Sequence, residues 1–478
     1  MKNFKSYNLS QNLLKALDLM GYHQPTQVQS MSIPAILKNK DLIIKSETGS
    51  GKTAAFAIPI IDQVEWEERA PQVLVLTPTR ELAQQVRQEV FNIGRFKRMQ
   101  VVEVYGKSPI RAQIRALSQR THFVVGTPGR VYDHIERGTL DLTKIKYLVL
   151  DEADEMLNMG FREQIDAILE CIREDYTMTV LSATMPDHIK NICDEYMDNP
   201  EMIEIESGTN YERIEQMAYK VSRKDKLKLV KDLMVVENPD SCIIFCNTRA
   251  QVDEINDAFK ELSYPVNKLH GGMEQDVRTK VMTSFRKGHF RYLIATDVAA
   301  RGIDVDDISL VINYDLPEDA EVYVHRIGRT GRKDKEGRAV SFVNDQDQYF
   351  LSKVSQLTQK EMILREQPSE DEVEVCLSAF EDKLNERLII KHEKHKALSK
   401  EITKLHINAG KKTKMRAGDV VGAISNIPDV TADDIGNINI ADVSTFVEIL
   451  NNKGKIVYKA LQNKPIKGRI RKVSYANE

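Results

Sequence analysis

The eight residues SETGSGKT, Ser46–Thr53, constrain this chain's architecture more than any other stretch. They follow the apolar run DLIIKS and precede a helical pattern. A glycine-bearing turn between a buried strand and a helix lets backbone N–H groups close around phosphate oxygens. The turn keeps its shape only if the strand is pinned in a sheet and the helix packs on it, which calls for a parallel α/β layer. Lys52 is then placed to reach β- and γ-phosphates, and the Thr53 hydroxyl to meet Mg2+. Ser46, Glu47, Thr48, Gly49, Ser50 and Gly51 form the expected cradle, with Ser46 standing where the strict pattern has glycine.

The same rhythm recurs. QVLVLT, HFVVGT, YLVLDEAD and TVLSAT are short apolar runs that each lead into a turn or helix start. After the polar stretch ESGTNYERIEQ comes a second set: CIIFCNT, VNKLHGG, YLIATD, LVINYD and AVSFV. This predicts two tandem α/β domains, 1–205 and 213–365, with the boundary near 206–215. A charged helical pattern from Val373 to about Ile402 predicts a helical linker over 366–403, followed by a compact module, 404–478. The net charge of −3 hides an asymmetry. From Lys404 to Glu478 there are 13 Lys+Arg against 7 Asp+Glu, a balance of +6, which leaves −9 for the remainder. A basic module on an acidic body points to a polyanionic partner.

No apolar run approaches the ~20 residues that span a bilayer. The start, MKNFKSYNLS, lacks an apolar leader core, so the expectation is a cytoplasmic chain without disulfides. Cys242 and Cys246 share one face of the CIIFC strand and read as core rather than as metal ligands.

YLVLDEAD places acidic residues at the carboxyl end of an apolar strand, where parallel sheets concentrate ligand chemistry. Asp151 is the expected partner of Mg2+. Glu152 is the expected base that polarises the attacking water. Phosphate hydrolysis needs both, a cation to offset charge and an oriented nucleophile.

Taken in order, the segments YHQPTQVQ, SETGSGKT, PTRELAQQ, TPGR, DEAD, SAT, IIFCNTR, QDVR, ATDVAARGIDV and HRIGRTGR resemble the DEAD-box ATP-dependent RNA helicases. The resemblance implies two RecA-like domains that cleave ATP only when closed on each other, with RNA and ATP each favouring closure. It implies that Gln29 reads the adenine edge, Tyr22 stacks on the base, Phe4 supports Tyr22, and Asp304 contacts the nucleotide or the domain interface. Arg329 and Arg332 match arginine fingers that stabilise charge on the γ-phosphate. Ser182, Thr184, His325 and Arg326 match residues that couple the domains. RNA is held by its backbone, which carries no sequence code. The matching positions are Pro78, Thr79, Arg80, Glu81, Thr127, Gly129 and Arg130 in the first domain. In the second they are Arg249, Gly271, Gln275, Arg278 and Thr296. One departure is VYGKSP, with Lys107 where the family often has a second glycine.

The tail shows a β-α-β-β-α-β order, that of an RNA recognition motif. His406 replaces the usual aromatic of the first strand, Ser444 that of the third, and Phe446 remains. Lys411, Lys412, Lys414 and Arg416 supply charge, as do Lys464, Lys467, Arg469, Arg471 and Lys472. The segment INAGKKTKMRAGDVVGAI is similar to the tail of the bacterial DbpA subfamily. That similarity implies a hairpin of large-subunit (23S) ribosomal RNA as partner and action on a pre-ribosomal particle; a monomer is expected. The competing readings are a general RNA remodeller without an address and a non-catalytic RNA clamp. The intact Lys52, Asp151, Glu152, Arg329 and Arg332 speak against the clamp.

Overall fold

The computed structural model describes residues 3–46, 49–173, 175–205, 213–297, 308–331, 336–388 and 396–476. Two compact bodies result, Met1–Ile205 with Glu393–Glu478, and Glu206–His392.

The first domain is a seven-stranded parallel sheet of β1 (Leu42–Lys45), β2 (Val73–Leu76), β3 (Val101–Val104), β4 (Phe123–Gly126), β5 (Tyr147–Leu150), β6 (Thr177–Ser182) and β7 (Glu201–Glu204). The strand order is β3-β4-β2-β5-β6-β1-β7. β2, β4, β5 and β6 are buried along their whole length, because helices cover both faces. Ile44, Phe56, Val75 and Phe123 anchor one side, and Leu74, Val124, Leu148 and Val180 the other.

The second domain repeats the plan with β8 (Ile214–Lys220), β9 (Cys242–Cys246), β10 (Val266–Leu269), β11 (Tyr292–Thr296), β12 (Leu310–Asn313), β13 (Gly337–Val343) and β14 (Ile363–Arg365). Its order is β10-β11-β9-β12-β13-β8-β14. Cys242 and Cys246 are buried in its core, and burial pushes both thiols well up.

Over the predicted 366–403 linker, the described residues hold two helices, Glu370–Asn385 and Lys396–Glu401. Ser369 opens the first through a capping box with Glu372, and Glu386 closes it in an extended conformation. The first helix is part of the second domain: Phe380 is 1% exposed in that core, with Val373, Cys376 and Leu384 packed beside it. The second belongs to the first body, where Leu398 is buried.

The tail has the predicted order. β15 (Thr403–Ile407), β16 (Ile435–Ile440), β17 (Thr445–Ile449) and β18 (Val473–Tyr475) form an antiparallel sheet in the order β16-β17-β15-β18. Helices Ala417–Ser425 and Gly454–Asn463 cover one face. Leu405, Ile407, Val447 and Ile449 alternate inward to meet them, which leaves His406 and Phe446 on the opposite face.

Candidate functional site

The sheet order sorts the first domain's motifs into two groups. The loops after β1, β5 and β6, three adjacent strands, carry Ser46–Thr53, Asp151–Asp154 and Ser182–Thr184. Those after β2, β4 and β3, the adjacent trio, carry Pro78–Arg80, Thr127–Arg130 and Gly106–Lys107. The expected phosphate positions and the expected RNA positions therefore sit side by side at the carboxyl ends of adjacent strands.

Gly51 opens the Lys52–Gln63 helix at φ 91°, in the left-handed region that favours glycine. A Cβ there would lie 2.6 Å from Gln29 Nε2. That closeness is used: Gln29 Nε2 donates to the Gly51 carbonyl at 3.2 Å, and Thr26 Oγ1 donates to the Ser50 carbonyl at 3.0 Å. Thr26 and Gln29 also form the capping box of the Gln27–Ile36 helix. Among the described residues, the Gln29 amide thus spends one N–H and one lone pair on the protein and retains one of each. Thr26 was missed by sequence reasoning, although the spacing T-x-x-Q signals such a cap. Phe4 is buried edge-on to Tyr22, ring centroids 6.5 Å apart, and the Tyr22 hydroxyl donates to Glu89 at 2.8 Å. Glu47 and Thr48 lie outside the described residues.

Lys52 Nζ donates to the Ser46 carbonyl at 2.9 Å, and Ser46 N donates to the Ser182 carbonyl at 3.1 Å. Asp151 is 3% exposed at the end of β5. Burial pushes its carboxyl up to about 6, against the pull of the Lys52 ammonium. A carboxylate at Asp151 and a hydroxyl on the half-buried Thr53 are oxygen donors of the kind that suits a hard divalent cation. Glu152 turns the chain at φ 52°, left-handed for a residue with a side chain.

Asp154, the last letter of DEAD, received no role from the sequence. Its Oδ2 accepts from Ala183 N (3.1 Å), Thr184 N (2.9 Å) and Thr184 Oγ1 (3.1 Å). Ser182 Oγ donates to the Thr184 carbonyl at 2.5 Å. The SAT segment is thereby fixed to both the phosphate loop and the carboxylate turn.

Among the expected RNA positions, Thr79 caps the Arg80–Ile93 helix by accepting from Leu82 N at 3.2 Å. Thr127 begins Pro128–Glu136, with Gly129 exposed beside it. Arg130 is committed to the Ser108 carbonyl and Gln113 Oε1, both at 3.1 Å. Pro78 is buried. Lys107 adopts φ 57°, so the family's glycine position is here a strained lysine, exposed to solvent.

The second domain shows the same split. Arg249 and Gly271 follow β9 and β10, and Thr296 ends β11, the sheet's adjacent trio. A Cβ on Gly271 would meet Arg249 Nη2 at 3.5 Å, so these two residues are neighbours. Gln275 and Arg278 lie on the next helix, Gln275–Arg286. His325, Arg326 and Arg329 lie between β12 and β13. Arg326 is 2% exposed and makes a fork to Asp297 at 2.5 Å twice, with further bonds to Asn313 Oδ1 and the Asp315 carbonyl. It sits 5.0 Å over the Phe245 ring. These bonds, among the described residues, lie within the second domain. Asp304 and Arg332 lie outside the described residues.

Comparison with known proteins decides the family. Residues 26–192 match the DEAD/DEAH box helicase model, 225–334 the helicase conserved C-terminal domain, and 404–474 the DbpA RNA binding domain. The ATP-dependent RNA helicase DbpA of Bacillus subtilis (strain 168) is 50% identical over 479 residues, covering 100% of both chains. This chain belongs to the DEAD-box ATP-dependent RNA helicases. Within them it is of the DbpA type, carrying that RNA-binding domain. The DEAD-box helicase CshA of Geobacillus kaustophilus is 43% identical over 78% of this chain and 80% of its own. The structure of S. cerevisiae Dbp5 bound to RNA and ADP BeF3 matches with a TM-score of 0.70 at 31% identity, covering 80% of this chain and 100% of that one. ATP use and RNA as partner follow from membership. No described helix is long and apolar enough to cross a membrane.

Proposed function

We propose that this helicase locally melts short duplexes in large-subunit ribosomal RNA, held there by its tail, during assembly of the ribosomal large subunit. It acts as a cytoplasmic monomer on a pre-ribosomal particle. The carrying observation is the tail's charge layout. Lys411, Lys412, Lys414 and Arg416 are exposed. The second basic segment reaches them through Lys467, whose ammonium donates to the Lys414 carbonyl and pairs with Asp419 at 3.2 Å. Two basic runs thus meet where Lys467 touches Lys414, 53 residues apart in the chain, which supports a polyanion-binding surface. Beside them Phe446 and His406 stand 5.1 Å apart on the open end of the sheet.

In the motor, Lys52 and the cradle hold the phosphates, and Gln29 and Tyr22 select adenine. Glu152 orients water, and Arg329 and Arg332 arrive from the second domain to stabilise the transferring group. Mg2+, fitting Thr53 and Asp151, would offset phosphate charge. Asp154 keeps Ser182 and Thr184 in register with that chemistry. RNA contacts from both trios favour closure, so RNA stimulates hydrolysis and ATP tightens RNA.

The test is charge removal on the tail. Replacing Lys411, Lys412, Lys414 and Arg416 by glutamine leaves ATPase at saturating unspecific RNA near its original level. Activation by low concentrations of the rRNA hairpin falls by about tenfold or more, and the salt dependence of binding becomes shallower as phosphate contacts are lost. Unchanged hairpin activation and salt slope would contradict the reading.

A further inference from the structure

The tail's sheet does not stand free. β17 alternates Val447 and Ile449 toward its own helices, so Glu448 and Leu450 point to the other face. There Glu448 is only 6% exposed, because Arg95 Nη2 of the first domain meets its Oε1 at 3.0 Å. Leu450 and Leu398, 1% and 2% exposed, belong to the first domain's apolar cluster together with Leu13, Leu17 and Phe96. A polar rim surrounds them. Gln100 Nε2 donates to Asn437 Oδ1 at 2.6 Å, Lys15 pairs with Glu401 at 2.8 Å and donates to Asn451 Oδ1 at 2.7 Å, and Arg98 donates to the Ala432 carbonyl. The charges are complementary: Arg95 and Lys15 of the first domain meet Glu448 of an otherwise basic tail and Glu401 just before it.

Two further facts give this contact consequences. Domain 2 leaves the first body after Ile205 and returns to it before Lys396, so it is joined by two chain segments. From Ile205 to Arg213 and from Leu388 to Lys396, each segment is eight peptide steps and spans at most about 28 Å. In addition, Arg95 Nε, Glu448 Oε2 and Asn437 Nδ2 are buried without a hydrogen-bond partner among the described residues. Such a contact carries a desolvation penalty and is poised to open.

We propose that the tail is a latch on the first domain. Closed, it converts the motor's second domain from a singly to a doubly tethered body and limits its excursion. It also reserves the Glu448–Leu450 end of the tail sheet for protein, leaving the Lys404–His406–Phe446 end and the Lys411–Lys414 loop for RNA. The inference concerns the chain without RNA and stands apart from which RNA is bound.

The experiment uses the full chain with fluorophores on non-native amino acids at exposed Gln119 and Lys455, read by single-molecule energy transfer without RNA. The expected result is one narrow population. Arg95→Glu sets two carboxylates against each other and raises the open, broadly distributed population by about tenfold or more. Arg95→Glu combined with Glu448→Arg restores the narrow one. Leu450→Glu opens the latch from the tail side, so a folding defect in either module is distinguishable. A broad population in the unmodified chain, or no recovery in the charge swap, overturns the proposal.

Discussion

Asp154→Ala is the perturbation whose size can be worked out most directly. The carboxylate accepts three bonds from residues 183–184 and one on Oδ1 from Glu155 N at 3.1 Å. A hydrogen bond to a charged group contributes about 1.5–3 kcal/mol. Asp154 is buried, but Ala183 and Thr184 are half-exposed, so water replaces part of what they lose. The net loss is then about 3 kcal/mol rather than the full sum. Asp154→Asn keeps one acceptor oxygen and loses about 1 kcal/mol. The chain's single tryptophan, Trp66, lies in the first domain, so its fluorescence follows that domain alone in urea. With m near 2 kcal/mol/M, the midpoint falls by about 1.5 M for Ala and about 0.5 M for Asn. Asp187, exposed and paired with Lys190, is the control. If Asp154→Ala shifts the midpoint no more than Asp187→Ala does, the carboxylate is not the tie between DEAD and SAT.

Asp151 predicts a pH signature. Its folded carboxyl, near 6, lies above the ordinary 3.8, so its favourable contribution is complete below pH 3.8 and is lost as pH rises through 6. Asp151→Asn, read through Trp66 without nucleotide, stabilises the first domain at pH 8 by up to about 3 kcal/mol and has no such effect near pH 3.5, while turnover is abolished. An equal effect at both pH values contradicts the assignment. Gly51→Ala forces a left-handed Cβ onto Gln29; ATP affinity drops at least tenfold in a nucleotide titration, and normal affinity would refute the close approach. Arg326→Lys breaks the fork to Asp297 and unfolds the second domain at lower urea by about 3 kcal/mol; an effect on ATPase alone, with stability intact, would return Arg326 to a purely coupling role.

Burial decided which parts of this fold could be read from the sequence. The strands recognised as apolar runs, β1, β2, β4–β6 and β9–β13, are mainly interior ones whose helices cover both faces. β3, β7 and β14 are edge strands, and their partly or fully exposed sequences VVEV, EMIE and ILR carry no continuous apolar signal. β8 hid behind the polar ESGTNYERIEQ, whose last three residues are its first. The 366–403 pattern looked continuous because charge on both helices is similar, while Phe380 and Leu398 commit them to different bodies. The phosphate loop and DEAD were legible because their chemistry is local. Asp154 was not, since its partners lie about 30 residues on, nor was the Arg95–Glu448 pair, 353 residues apart.

The central claim is that an RNA-gated ATPase is addressed by its tail, and the RNA dependence of ATP hydrolysis in the intact chain tests it most directly. Half-saturating concentrations are measured for a large-subunit rRNA hairpin fragment and for an unrelated hairpin of equal length and charge. The account predicts negligible hydrolysis without RNA and a half-saturation point about a hundredfold or more lower for the rRNA fragment, as expected when a tethered site concentrates RNA at the motor. Equal half-saturation by the two hairpins would contradict the address, and equal rates with and without RNA would contradict the gate.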